Sequence, residues 1–408
     1  MYEHWKRNLF LLWFSQILVV VGYAAALPFI ALFISDRYGI TNEGSLGLIV
    51  SWFHFVSTGS FAVMAPVWGR LADRFGRKIM LLRACFMDAI IFPLMVYSPN
   101  MTVLFVLRIL ASVFTGTTSA AQPLMIAGTP KEHHGLALGL LSTSLWAGNM
   151  LGYLFGGLIV NSFGFKVAFL FCGFTYFLSG IIVLFVHEEF TPVVKAKGKP
   201  FWKEDSFSGS IWLLLSILLL LSLIRYFELP YLPQLVMRIT GPAKAPFWTG
   251  NVSAAGALGG ILAGTLCGYL ADKTSANKII IPGLCLASAN LLLQIHVTSL
   301  PLLMVTRFVA NFATGGIAPI IMTLITRFTS KEQRGFIFGL NTTAENTGIM
   351  LSTVFSGGVV YYAGISGVYL TNSVLFLLFI PYILFASKQI ARGSNGASPD
   401  DAPAPRRM

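Results

Sequence analysis

A chain of 408 residues that is 55% hydrophobic and only 11% charged, with a mean hydropathy of +0.74, cannot clothe a water-soluble globule, because soluble domains carry roughly a quarter charged residues. The net charge of +12 does not point to nucleic acid, since the basic residues gather in alternate connections between apolar runs. No phosphate-cradling loop ending in Gly-Lys-Ser/Thr occurs, which argues against direct ATP use.

A membrane-spanning helix needs about 20 apolar residues, and twelve such runs are predicted. They lie near 9–34, 45–68, 79–98, 101–127, 136–162 and 166–187, then near 209–234, 247–270, 278–297, 300–326, 335–362 and 366–387. The first run is too long for a signal-peptide core and reads as a retained helix. Between the sets, 188–208 is polar and holds Lys195, Lys197, Lys199 and Pro200. The expected organisation is therefore a first six-helix bundle over 1–187, a linker over 188–208, a second bundle over 209–388 and a tail over 389–408. The tail has no apolar content to bury and is expected to be disordered. Cys85, Cys172, Cys267 and Cys285 sit inside apolar runs and read as small core side chains, with no disulfide framework, metal site or cofactor expected. With the N-terminus in the cytoplasm, the inside connections hold 21 Lys and Arg against four outside, which predicts that both termini are cytoplasmic.

The runs also repeat. TPKEHHGLALGL at 129–140 returns as TSKEQRGFIFGL at 329–340, and in that register Gly148, Gly157 and Gly164 meet Gly348, Gly357 and Gly364. GRLADR at 69–74 returns as GYLADK at 268–273, and Arg108 and Gly116 return as Arg307 and Gly315. Two parallel six-helix repeats related by an axis along the membrane normal are one known plan for secondary transporters.

GRLADRFGRK at 69–78 resembles the signature loop between helices 2 and 3 of the major facilitator superfamily. Gly69 and Gly76 are read as permitting a tight turn, Asp73 as an anion near helix ends, and Arg70, Arg74, Arg77 and Lys78 as headgroup anchors. The resemblance implies that Gly69, Asp73, Arg74, Gly76 and Arg77 take part in the gate between inward- and outward-open states. The fourth span is similar to the family's arginine signature, with Arg108 ahead of Ala111, Ser112 and Gly116. The fifth resembles the glycine-rich signature of drug/proton antiporters through Gly139, Gly148, Gly152, Gly156 and Gly157, although Tyr153 stands where that signature has proline. Small residues let helices approach closely, so Gly148, Gly152, Gly156 and Gly157 are expected at a packing face.

Ionisable groups inside a membrane are costly and call for a function or a partner. Six stand out: Asp88, Arg108, Arg225, Glu228, Arg307 and Glu345. Arg225 and Glu228 lie three apart on one helical face, either paired with each other or with Glu228 meeting a proton or a cationic substrate. In the family, helices 1, 4, 7 and 10 line the central cavity, which favours the second reading. Glu345 is read as a proton site or an interdomain latch, and Asp88 as a carboxyl that either has a local partner or is protonated, ranked below Glu228. Arg108 and Arg307, recurring in matching places, fit architecture and transport equally. Tyr23, Gln122, Asn149 and Asn311 are candidate hydrogen-bonding groups of a cavity, or bonds from helix to helix.

The resemblance implies a monomeric, multi-pass protein of the bacterial inner (plasma) membrane whose partners are protons, the lipid bilayer and a small-molecule substrate, with no nucleic acid and no enzymatic chemistry. Its leading implied function is proton-coupled efflux of amphipathic organic compounds or drugs by alternating access. Uptake or symport of a specific metabolite, export of a siderophore-like organic anion, and a non-transporting receptor remain as alternatives.

Overall fold

The computed structural model describes residues 4–130, 133–188, 209–271, 274–327 and 334–395, and these residues are helical apart from short turns and bends. Most of the expected linker, from residue 189, and the tail from residue 396 lie outside the described residues, as does Lys131. Nine stretches of the described residues are long and apolar enough to cross a membrane. Two of them, Gly139–Leu184 and Leu340–Ile390, are too long for one passage, since about 20 residues suffice. Each is interrupted by a glycine outside the helical region, Gly164 (φ 78°, ψ 175°) and Gly364 (φ 66°, ψ −173°).

With the helix Ala245–Ala271, the passages number twelve. They are α1 (Trp5–Tyr38), α2 (Glu43–Phe75), α3 (Arg77–Val96), α4 (Met101–Phe114 and Thr117–Ala127), and α5 and α6 (the limbs of His134–Leu184 on either side of Gly164). The second set is α7 (Gly209–Tyr226 and Leu232–Thr240), α8 (Ala245–Ala271), α9 (Ala276–Ile295), α10 (Leu300–Gly315 and Ile317–Arg327), and α11 and α12 (the limbs of Arg334–Asn395 about Gly364). The reversal between α5 and α6 shows in their partners on α1. Trp13 Nε1 donates to Thr143 Oγ1 at 3.2 Å and Asn8 bonds His187, while at the other end of α1 Phe33 packs on Phe165 at 5.6 Å.

The repeat is closer in three dimensions than the matched strings suggest. α1 is broken by a 3₁₀ turn at Leu27–Phe29 and α7 by one at Leu229–Tyr231, each around a proline, and a nine-residue helix follows each turn. Proline removes a donor and collides with the preceding turn, so Leu-Pro in both helices produces the same break at a shift of 202. Gly39 (φ 68°) and Gly241 (φ 74°) then close the two short helices.

The chain divides into two compact units. The first comprises Met1–Lys195 with Pro230–Ala254, and the second Ala196–Leu229 with Ala255–Met408. The stretch from Pro230 to Ala254, which belongs to the second half by sequence, is thus part of the first unit. In that unit, Leu12, Leu27, Ile30, Phe53, Phe92 and Phe169 are fully buried. Glycines at 148, 152 and 156 place one face of α5 against α1: a Cβ at these positions would lie 2.7 Å from Val20 Cβ, 2.6 Å from Ala24 Cβ and 2.5 Å from the Ala25 carbonyl. Gly157 instead faces Pro246 and Gly250 of α8. Small hydroxyls tie neighbouring helices inside each unit, through Ser15–Ser179 at 2.9 Å and Ser57–Ser112 at 2.7 Å in the first and Ser288–Ser373 at 2.7 Å in the second. Cys85 and Cys172 are core side chains, whereas Cys285 is exposed on the outside of α9 rather than packed inside.

Candidate functional site

The charges gather into three places. In the second unit, the first piece of α7 ends at Tyr226, ahead of Pro230, and Phe227 and Glu228 lie in the bend before the 3₁₀ turn. The pairing of Arg225 with Glu228 on one helical face therefore gives way, because no helical face exists between them. Glu228 Oε1 instead lies 2.6 Å from Arg307 Nη1 on α10, with the side chains 9% and 4% exposed. The second carboxylate oxygen, Oε2, has no hydrogen-bond partner among the described residues. One turn along α10, Asn311 spends its amide on its own helix, donating to the Arg307 carbonyl at 3.0 Å. Arg225 is half-buried in the last turn before the break, close enough to Glu345 of α11 to act on it electrostatically. The Asn341 amide reaches Glu345 Oε1 at 3.4 Å.

In the first unit the equivalent arginine has a different partner. Arg108, 4% exposed, donates from Nη2 to the Tyr23 hydroxyl at 3.3 Å, and its guanidinium carbon lies 5.1 Å from the Phe53 ring centre. Aligned on the two Leu-Pro breaks, Tyr23 corresponds to Arg225 and Ala26 to Glu228, so the first unit has no carboxylate where the second has one. Asp88 on α3 is fully buried, within electrostatic range of both Arg83 and Arg108. Asn149 donates to the Leu145 carbonyl of its own helix at 2.9 Å, and Gln122 is half-buried in the second piece of α4. Asn149 and Asn311 therefore each commit one of their two amide N–H donors to their own helix.

The third place is the signature loop. Gly76 makes the turn alone, at φ 99° and ψ 150°, a region that disfavours any residue with a Cβ. Gly69 lies inside α2 with open space around it, so its expected part in the turn is corrected: the helix continues through it to Phe75. Arg74 is exposed and lies over Phe75, and the Asp73 side chain lies outside those described. Arg77 Nη1 donates to the Pro123 carbonyl on α4 at 2.8 Å. Three further residues complete the fastening. Trp68 Nε1 donates to the Val113 carbonyl at 2.6 Å, and Arg83 stacks on the Trp68 ring at 3.4 Å while its Nη2 reaches the Thr115 carbonyl at 3.2 Å. Glu188 accepts from the backbone N–H groups of Arg77 and Lys78, at 2.9 Å each.

Two of the acceptors, the Val113 and Thr115 carbonyls, follow from a break in α4. The helix is interrupted between Phe114 and Thr117, where Gly116 has φ 119°, and carbonyls near an interruption lack helical partners. Sequence reading overlooks Trp68, Arg83 and Glu188. The available signals are position only: Trp68 directly precedes the signature, Arg83 sits two turns into α3, and Glu188 is the first carboxylate after α6. A second ion pair joins Glu43, at the start of α2, to Arg238, at the end of α7, both within the first unit. Near it the Ser51 and Tyr231 hydroxyls are 2.5 Å apart and buried.

Twelve passages in two related sets, with guanidinium and carboxylate groups buried among apolar helices, define a membrane transporter of small molecules. The family profile described as Major Facilitator Superfamily matches residues 12–289 and 214–406, and the chain belongs to that family. It is 28% identical over 373 residues to the "Multi-drug resistance efflux pump PmrA homolog" of Lactococcus lactis, covering 89% of this chain and 92% of the relative. It is also 28% identical over 403 residues to the "Multidrug resistance protein MdtG" of Escherichia coli, covering 96% and 98%. Among solved structures, a bacterial homologue of the human lysosomal transporter Spinster, inward-facing and unoccupied, shares the fold with a TM-score of 0.73 at 15% identity, over 98% of this chain and all of the other.

Proposed function

We propose that the protein is a proton-coupled exporter of small amphipathic organic compounds. In this reading it works by alternating access as a monomer in the plasma membrane, with both termini in the cytoplasm and the sequence halves 1–187 and 209–388 as its two repeats. Export and compound class are suggested by relatives named as multidrug efflux pumps, and the orientation by the 21 basic residues counted on the termini's side. The observation that carries coupling is the buried Glu228–Arg307 pair, with one carboxylate oxygen left over. A proton arriving at Glu228 removes the charge that Arg307 is paired with. It thereby frees a buried guanidinium for another acceptor, and the exchange is reversible. Gly69, Asp73, Arg74, Gly76 and Arg77 act in this reading as the gate. Asp88, Arg108, Glu345, Tyr23 and Gln122 are secondary contacts for substrate or proton.

The test is transport in proteoliposomes under an imposed pH gradient, comparing wild type with Glu228→Gln. Accumulation opposite to proton flow in wild type, lost in the variant, is the expected result. Unchanged coupling in Glu228→Gln overturns the assignment of the proton to this site. A symport reading has one observation in its favour: Tyr153 occupies the place of the antiporter proline, with its carbonyl directly against Gly250. Accumulation in the direction of proton flow would select it.

A further inference from the structure

We infer that Glu188 is a positioning residue of the gate, holding the signature loop in place from the first turn of the chain after α6. The inference rests on reading 69–77 as a gate. It begins with a conflict at Gly76. The first four N–H groups of a helix have no partner within it and are ordinarily met by the side chain at the N-cap. Here the N-cap must adopt φ 99°, so it is glycine, and α3 starts with no side-chain cap of its own. The turn that forms the loop thus leaves α3 open at its positive end, where a carboxylate is the favoured partner.

Glu188 supplies that partner from more than a hundred residues along the chain. Its two oxygens take one N–H each, Oε1 from Arg77 and Oε2 from Lys78. The contact is answered in the opposite sense, since Lys78 Nζ donates to the Leu184 carbonyl at 2.8 Å, in the last turn of α6, where carbonyls lack partners. The start of α3 and the end of α6 therefore cap one another. The residue before Glu188 is also fixed: His187 N–H donates to Asn8 Oδ1 at 3.1 Å, and Asn8 Nδ2 returns a bond to the His187 carbonyl at 2.8 Å. Glu188 is thus held from α1 and α6, and grips α3 at the residue whose guanidinium reaches Pro123 on α4. The carboxylate itself touches only α3, and the residues on either side of its bonds tie that contact to α1, α6 and α4. The Arg77 backbone cannot shift relative to the end of α6 without first releasing Glu188.

The experiment uses the full chain with Glu188→Gln, which keeps the shape and one acceptor, and Glu188→Ala. Two quantities are read: hydrogen exchange of the amides at 77–80, and ethidium efflux from proteoliposomes as a function of dye concentration. Loss of charge-assisted bonds predicts exchange at 77–80 at least about tenfold faster in either variant, with the rest of α3 unchanged. It also predicts a turnover changed several-fold at an unchanged KM. Arg77→Ala serves as the control for the gate itself. If Arg77→Ala alters turnover and the Glu188 variants do not, the positioning role is wrong while the gate stands. If none of them alters turnover, the gate reading fails and takes this inference with it. Loss of both Glu188 variants from the membrane, or KM and thermal midpoint moving together, would make Glu188 a folding residue only and overturn the proposal.

Discussion

Glu228 and Arg307 are nearly sealed from solvent, and a buried pair is most sensitive to losing one partner. Removing one side of such a pair costs about 3–5 kcal/mol because the other charge is stranded, whereas replacing both is often neutral. Arg307→Met is therefore expected to lower the thermal midpoint in detergent sharply, and adding Glu228→Gln to recover most of the loss. If the double variant is no more stable than the single one, the two groups are not each other's principal partners. The Glu43–Arg238 pair behaves differently, with side chains 31% and 42% exposed. Pairs in such settings contribute about 0–1 kcal/mol, so Arg238→Gln is expected to leave the midpoint nearly unchanged. The buried charges were legible individually in the sequence, since any ionisable residue in an apolar run draws notice. Their pairing was not. Three-residue spacing presumes a continuous helix, and the proline two positions after Glu228 removes it. The Leu-Pro pair at 27–28, which predicts the same break in α1, is the sign within the sequence that α7 would do so.

Helices here are defined as much by their glycines as by their apolar faces. Gly164 and Gly364 stand 200 residues apart and adopt nearly the same backbone, φ 78° and 66° with ψ near 180°. This region is essentially reserved for glycine, and other residues in sparsely populated conformations cost about 1–3 kcal/mol each. Gly164→Ala and Gly364→Ala should each reduce the yield of folded protein, measured as the monodisperse fraction after purification. Gly156→Ala should do so by another route, because its new methyl meets the Ala25 backbone, and overpacking a close contact costs about 1–3 kcal/mol. Gly69→Ala separates structure from gating. The position is helical and open, so alanine should stabilise α2 by up to about 1 kcal/mol, and any loss of transport would then belong to the gate. A loss of folded protein instead would show that Gly69 packs against something. The twelve spans were legible because apolar length is a strong signal. The place of the turn in the signature loop was not, because two glycines seven apart look alike until one is inside a helix.

At the scale of the molecule, the sequence repeat and the compact units divide the chain differently. The repeat places the change of half in the polar stretch after α6. The units exchange Pro230–Ala254 as well, a detail that no count of apolar runs contains, since it depends on which side chains meet.

One consequence follows for severed chains. The polypeptide crosses from unit to unit near residues 195, 229 and 254, so cutting it after α6 leaves the leading piece without part of the first unit, while the trailing piece carries that part together with the whole second unit. The leading piece would lack the stretch carrying Tyr231, which bonds Ser51, and Pro246 and Gly250, which cover Gly157. Fragments 1–195 and 196–408 should accumulate together and co-purify when made in one cell, while the leading fragment made alone should be degraded, as immunoblots of membranes would record. Stable accumulation of fragment 1–195 on its own would mean that the borrowed stretch is dispensable. Otherwise the two pieces are complementary fragments of one fold, and the covalent join at the linker is the least of what keeps them together.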